Sequence, residues 1–248
     1  MDNEIISILS CPIHRSDELI YRKDENFFIC TRCNRKYKVS TLNGIEIPDF
    51  LIDSGNLNRG HRGLNSKFLS SIQGKPFQRR IEDKKLVLDL GCGENPRGNI
   101  NVDCYIPNKI PCNFILANAE YLPFKDNSID IIISNFSIEH VINPAIFIQN
   151  IYKIAKEKIE IVTDNSEWLG DVFFRLYGDG RIFHDEHYYK WSVEYFRNLL
   201  NKLGYKNNKV YLLNLSTSLI VEILSVFGKI PRLGNLFYRD LKAEIRKR

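Results

Sequence analysis

The chain has 248 residues, 44% of them hydrophobic, and 35 Lys and Arg against 30 Asp and Glu give a net charge of +5. That length accommodates one full catalytic domain plus a small extra module. No apolar run reaches the ~20 residues needed to cross a bilayer, the six cysteines are too few for a secreted disulfide framework, and the acidic start Met1-Asp2-Asn3-Glu4 lacks the basic region of a signal peptide. A cytoplasmic protein without a membrane span is therefore expected.

Residues 1–52 are expected to form a small β-rich zinc ribbon, with strand-like runs at Phe27-Phe28-Ile29 and Tyr37-Lys38-Val39. Cys11-Pro12-Ile13-His14 is followed, after fifteen residues, by Cys30-Thr31-Arg32-Cys33. Two ligand pairs, each with two intervening residues, suit a tetrahedral zinc site, because each pair brings both side chains to one point at a tight turn. The expected ligands are Cys11, His14, Cys30 and Cys33, with His14 where such ribbons usually carry a fourth Cys. So small a module has little core of its own, and a metal crosslink would supply what is missing.

Residues 53–80 read as a basic linker. Arg59, Arg62, Lys67, Lys75, Arg79 and Arg80 occur in 54–80 without one acidic residue, whereas 81–200 sum to −6 and 201–248 to +7. A basic stretch can hold phosphates, though more often it is solvated surface.

From residue 81 to 248, short apolar runs alternate with longer mixed segments, the pattern of parallel strands buried between helices. Strands are expected at Leu86–Leu90, Ile100–Asp103, Asn113–Leu116, Ile129–Ser134 and Ile159–Thr163. Helices are expected at Pro144–Ala155, with Pro144 in its first turn, and at Ser192–Leu203, where Ser192 and Gly204 supply the terminal signals. Lys209–Asn214 and Leu241–Arg246 read as a final strand pair, separated by an apolar helix near Thr217–Phe227. The fold class is an open α/β sheet. Its first strand ends in Asp89-Leu90-Gly91-Cys92-Gly93, a turn that lets the backbone approach a ligand. A dinucleotide fingerprint would need a small residue at position 96, which is Pro96. A nucleoside cofactor without phosphates fits better.

Two family resemblances follow from these residues. Cys11-Pro12, the second Cys pair, Gly44-Ile45 and Ile47-Pro48 resemble, over residues 5–51, the zinc-ribbon family that includes the small activator subunit of RNA and protein methyltransferases. The resemblance implies a closed structural zinc and admits a protein partner on the ribbon. Residues 85–205, through Leu88-Asp89-Leu90-Gly91-Cys92-Gly93 and Leu122-Pro123-Phe124, are similar to class I methyltransferases. That implies a Rossmann-like sheet, mostly parallel with an antiparallel C-terminal strand, and S-adenosylmethionine as cofactor. Carried over by position, Asp89, Gly91 and Gly93 would line the methionine end, Asp103 would accept both ribose hydroxyls, and Asn118 and Ala119 would sit beside the adenine. Asn118 stands where the family usually has Asp, and it retains an acceptor oxygen. Asp103 follows Gly93 so closely that the helix after the first strand must be reduced to a loop through Asn95-Pro96-Arg97-Gly98.

Asn135 and the run Ser137-Ile138-Glu139-His140 follow the fourth strand and match the family's Glu-His ending. Neither an Asn-Pro-Pro-Tyr turn nor a suitably placed Cys is present, which demotes amide and pyrimidine-carbon chemistry. His187 is the first candidate for a general base or substrate ligand, with His184 and His140 behind it. A metal at His184 and His187 is not expected, because no further ligand set is apparent. The leading function is methyl transfer to an oxygen or nitrogen of a small molecule, sugar or glycan. An RNA methyltransferase using the ribbon and basic linker is the second reading, since a ribbon ahead of this domain resembles certain ribosomal-RNA guanine methyltransferases. A non-catalytic adaptor is the third.

Overall fold

The computed structural model describes residues 1–15, 19–52, 85–169, 187–215 and 234–247. The linker 53–80, the apolar segment Thr217–Phe227 and His184 lie outside the described residues. The chain forms two sheets. In the first, β1 (Leu19–Arg22), β2 (Phe27–Cys30), β3 (Lys36–Leu42) and β4 (Ile45–Pro48) follow one another as antiparallel neighbours. A short helix that the sequence reading did not anticipate, α1 (Asn3–Ile8), precedes them; the Asp2 side chain accepts from the Glu4 backbone N–H and caps it.

The second sheet contains β5 (Val87–Leu90), β6 (Ile100–Asp103), β7 (Phe114–Leu116), β8 (Ile129–Asn135), β9 (Ala155–Asp164), β10 (Asn208–Leu215) and β11 (Tyr238–Arg246), in the order β10-β11-β9-β8-β5-β6-β7. β5 to β9 run parallel, and β11 inserts antiparallel between β9 and β10. This is the expected mostly parallel α/β sheet with a reversed C-terminal strand. Every residue of β5, β6 and β7 is buried, which is why those strands are largely apolar, interrupted only by Asp89, Asn101 and Asp103.

Helices α2 (Pro144–Ile154) and α3 (Val193–Lys202) start where their signals place them: Asn143 caps the Ile146 N–H, and Ser192 caps that of Tyr195. Two strands start early: β11 begins at Tyr238, three residues before the expected Leu241, and β9 differs most. α2 passes straight into β9, because Ala155 is already extended, fully buried and paired with Ile129. The strand thus begins four residues earlier than its apolar stretch suggests. Lys156 and Glu157 stand at the rim, where they pair with Asp130 and Lys85.

The small sheet is fastened to the open edge of the large one. Ser10 N–H donates to Pro123 O and Lys125 N–H to Ile8 O, forming an antiparallel bridge between Leu9 and Phe124. Beyond β4, Phe50 N–H donates to Leu116 O at 2.8 Å, which continues edge strand β7 with a parallel bridge between Asp49 and Leu116. Ile5, Leu9, Phe28, Val39 and Phe50 share one buried cluster with Leu122, Phe124 and the interior of the large sheet. The edge of β7, which would otherwise offer unpaired backbone groups, is covered by its own chain.

Candidate functional site

The parallel sheet reverses its winding between β5 and β8, since β6 and β7 lie on one side and β8 and β9 on the other. The crevice above the strand ends at such a reversal is where open α/β sheets bind ligands. The turn after β5 opens it. Gly91 has φ +71°, and a Cβ there would fall on the Ser137 hydroxyl, so no other residue fits without displacing the segment after β8. The N–H groups of Gly91 and Cys92 both reach Val102 O, and Gly93 N–H donates to Asp103 Oδ2 at 2.8 Å. Asp103 Oδ1 accepts from Cys104 N–H at 2.7 Å and more weakly from Tyr105 N–H. Burial pushes the Asp103 carboxyl above its usual range, and these three backbone donors oppose the shift. The carboxylate therefore ties the ends of β5 and β6 together at the mouth of the crevice.

Asp89 occupies a different place from the one its motif suggests. It is completely buried, and Arg97 takes both its oxygens: the guanidinium donates to Oδ1 at 3.0 Å and to Oδ2 at 3.2 Å, and the Arg97 N–H to Oδ2 at 2.8 Å. Asp89 fastens the loop that replaces the first helix, instead of presenting an open acceptor to a ligand. The fastening is close: a Cβ on Gly98 would lie 2.7 Å from Asp89 N and Val87 O.

Asn118 and Ala119 follow β7. The Asn118 side-chain oxygen accepts from Glu120 N–H at 2.8 Å, an Asx turn, and Glu120 in turn accepts from Asn143 N–H at the start of α2. This loop also carries Leu122, Pro123 and Phe124, so the small sheet packs against its far end.

Across the reversal, Asn135 ends β8 and Phe136 takes a left-handed conformation with φ +52°. The chain then makes one 3-10 turn, Ile138–His140. Here the structure joins His140 and His187, both singled out by sequence, whose rings meet edge to face with centroids 4.5 Å apart. It adds Glu139, whose nearest carboxylate oxygen lies within 4.8 Å of a nitrogen on each histidine. Glu139 is 1% exposed; Thr163 Oγ1 donates to its Oε2 at 3.0 Å, and its Oε1 has no hydrogen-bond partner among the described residues. Burial, with Asp164 and Asp240 nearby, pushes its carboxyl up to about 8. Asp164 Oδ2 lies 3.8 Å from His187 Nδ1. Glu139 and His140 thus stand beside His187, whereas His184, with which a metal was not expected, lies outside the described residues. The Glu-His pair was visible in the sequence; the burial of its first member was not.

In the small sheet, the ligand atoms of Cys11, His14, Cys30 and Cys33 all lie within 4.8 Å of one another. Cys11 Sγ is 3.7 Å from His14 Nδ1 and 3.3 Å from the Tyr37 hydroxyl. Burial raises the Cys30 thiol, but the N–H groups of Cys33 and Arg32 aimed at its sulfur bring it below the ordinary range. Three sulfurs and one imidazole at this separation fit a tetrahedral zinc, whose Zn–S and Zn–N bonds of about 2.3 and 2.0 Å set ligands just under 4 Å apart.

Comparison with known proteins finds partial similarities. The model described as "Methyltransferase domain" matches residues 99–161, from β6 through most of β9. An uncharacterized protein of Methanocaldococcus jannaschii is 27% identical over 103 residues, 37% of this chain and 41% of that protein, so the match spans about two fifths of that relative. Among solved structures, an S-adenosylmethionine-dependent methyltransferase of Thermotoga maritima shares 16% identity over 66% of this chain and 83% of its own, with a TM-score of 0.48. A chain from the complex between the Haloferax volcanii Trm112 methyltransferase activator and a protein described as a methyltransferase shares 14% identity over 68% of this chain and 85% of its own, with a TM-score of 0.44.

Proposed function

We propose that this chain, an enzyme with a class I methyltransferase fold, transfers a methyl group from S-adenosylmethionine to an oxygen or nitrogen of a small molecule, sugar or glycan. The observation that carries the reading is the joined Gly91–Gly93 turn and Asp103 at the winding reversal, inside a chain that matches a methyltransferase domain over residues 99–161. Gly91 and Gly93 would take the methionine end, Asp103 the ribose, and Asn118 with Ala119 the adenine. The cofactor brings the activated methyl, and the chain's part is to hold the acceptor in line with it. The acceptor would then lie over the ends of β8 and β9, where Asn135 ends β8 and His140 meets His187. His184 lies outside the described residues and keeps only its sequence-based candidacy.

The charge around that position supports a small acceptor over RNA. Asp164 and Asp240 lie beside Glu139 there, and ionised carboxylates repel a polyanion where the methyl would be delivered. We further propose that Cys11, His14, Cys30 and Cys33 hold a structural zinc, which leaves no position for water. Transfer of tritium from labelled S-adenosylmethionine, followed into fractionated RNA, protein and small-molecule pools, tests the acceptor. Label is expected in the small-molecule pool. Label in RNA, with salt-sensitive binding abolished by neutralising Arg59, Arg62, Arg79 and Arg80, would reverse the assignment.

A further inference from the structure

We infer that Glu139, His140 and His187 form a second metal site, distinct from the cysteine cluster, that takes a divalent transition-metal ion such as zinc, iron, manganese or cobalt. The inference goes beyond the methyl-transfer reading and does not depend on it. Its first ground is geometric. Two residues of a 3-10 turn after β8 and one residue before α3, 47 positions from His140 in the chain, bring two ring nitrogens and a carboxylate oxygen within 4.8 Å of one another. Ligands on ions with bonds near 2.1 Å stand roughly 3 to 3.5 Å apart, so the three side chains would draw closer around the ion.

The second ground is independent. Glu139 Oε1 is buried and has no hydrogen-bond partner among the described residues. A buried carboxylate oxygen without a partner costs stability unless a proton or a cation meets it. The two histidines at hand supply neutral nitrogen ligands. Outside these three, Asp164 stands 3.8 Å from His187 Nδ1, where a carboxylate can steady a ligating ring. Thr163 fixes Oε2 of Glu139 at 3.0 Å, and Oε1 is the oxygen left for a further partner.

The donor set decides the class of ion. Two imidazoles and one carboxylate suit borderline metals, whereas magnesium and calcium prefer all-oxygen shells. Three protein ligands leave further positions open, as in catalytic metal sites and unlike the four-ligand cysteine cluster. An acceptor hydroxyl or carboxylate oxygen is the ligand class those positions would take, and they lie on the acceptor side of the crevice.

The test is metal stoichiometry on the untagged full chain after equilibrium dialysis against zinc. His140→Ala and His187→Ala are each expected to bind one zinc fewer than wild type. His140 is exposed, so its variant leaves the core intact, and an unchanged near-ultraviolet circular dichroism spectrum checks this. Cys30→Ser should remove a different ion, so that the combination with His187→Ala binds none. Replacement by cobalt separates the sites: the sulfur-to-cobalt charge-transfer band should persist in the histidine variants and vanish in Cys30→Ser. Asp164→Asn should weaken the second ion about 10–100-fold. Zinc content and affinity equal to wild type in both histidine variants would overturn the inference. Failure to bind S-adenosylmethionine in calorimetry would overturn the methyl-transfer reading alone.

Discussion

Arg97 shows how one residue organises the crevice. It is the cation that compensates a completely buried Asp89, and through that pair it holds the loop between β5 and β6. Removing one member of a buried ion pair costs about 3–5 kcal/mol, because the other charge is left without compensation. Arg97→Met should therefore lower the unfolding free energy by that order in urea, and adding Asp89→Asn should recover much of it. A double variant no more stable than Arg97→Met would show that the loop is held by something other than the charge pair. Asp103 makes the complementary case. Its carboxylate is the acceptor proposed for the ribose, and a hydrogen bond to a charged group is worth about 1.5–3 kcal/mol. Asp103→Ala should weaken S-adenosylmethionine roughly tenfold to a hundredfold in calorimetry, and equal affinities would remove it from the site. Both aspartates were legible as strand-end acids. Their different surroundings were not, because Asp89 meets a side chain eight residues on and Asp103 meets backbone N–H groups set by a turn. Motif spacing records neither partner.

At the scale of elements, the reversed strand β11 is held to β9 by charge as well as by its ladder. Glu160 and Glu244 face each other directly across the pair, a like-charge juxtaposition that would be unfavourable alone. Lys242 bridges them at 2.9 and 3.2 Å, and Lys158 at 2.8 and 3.2 Å, while the Tyr211 hydroxyl donates to Glu244 at 2.8 Å. Although burial works against it, these donors hold the Glu244 carboxyl at about 2, below its ordinary range. A depressed carboxyl stabilises the fold fully above its unfolded value of about 4.3, and the contribution is lost as pH falls toward the folded value. Unfolding free energies should thus fall between roughly pH 4.5 and 2, and Glu244→Gln should flatten that slope. An identical slope in the variant would place the acid sensitivity elsewhere. The strands and helix ends of the large sheet could be read from apolar runs and from Pro144, Ser192 and Gly204. The first half of β9 could not. Lys156-Glu157-Lys158 reads as a polar connection, and only the pairing with β8 and β11 makes it strand. Tertiary context overrides local pattern there.

Over the whole molecule, the small sheet and the large one share a single core, so a defect in the first should be felt throughout the second. The cysteine spacing made the small module legible, but its docking was not, because no periodicity in residues 1–52 says which surface they cover. Phe50 joins the two sheets: it is fully buried, packs against Phe28 and Tyr37 in the small sheet, and its N–H pairs with Leu116 at the edge of the large one. Phe→Ala in a core costs about 3–5 kcal/mol, and in a domain of this size each kcal/mol lowers the midpoint by about 2–4 °C. The two tryptophans, Trp168 and Trp191, lie beyond β9 and before α3, on the opposite flank of the sheet from β7. Their fluorescence therefore reports the large sheet and not the small one. Phe50→Ala should lower the fluorescence-detected midpoint by roughly 10 °C while keeping one transition. Cys30→Ser should act in the same direction, and a point variant is the better probe than a chelator, which would also strip the site at Glu139, His140 and His187. A tryptophan transition that stays in place while far-ultraviolet circular dichroism shows an earlier loss of strand would mean that the two sheets unfold separately. The shared core would then be a contact surface and not a cooperative one. A single shifted transition would make the small sheet part of what keeps the adenine-side loop from Asn118 to Phe124 in place. S-adenosylmethionine affinity should then weaken in Phe50→Ala, although Phe50 is not among the residues proposed to hold the cofactor.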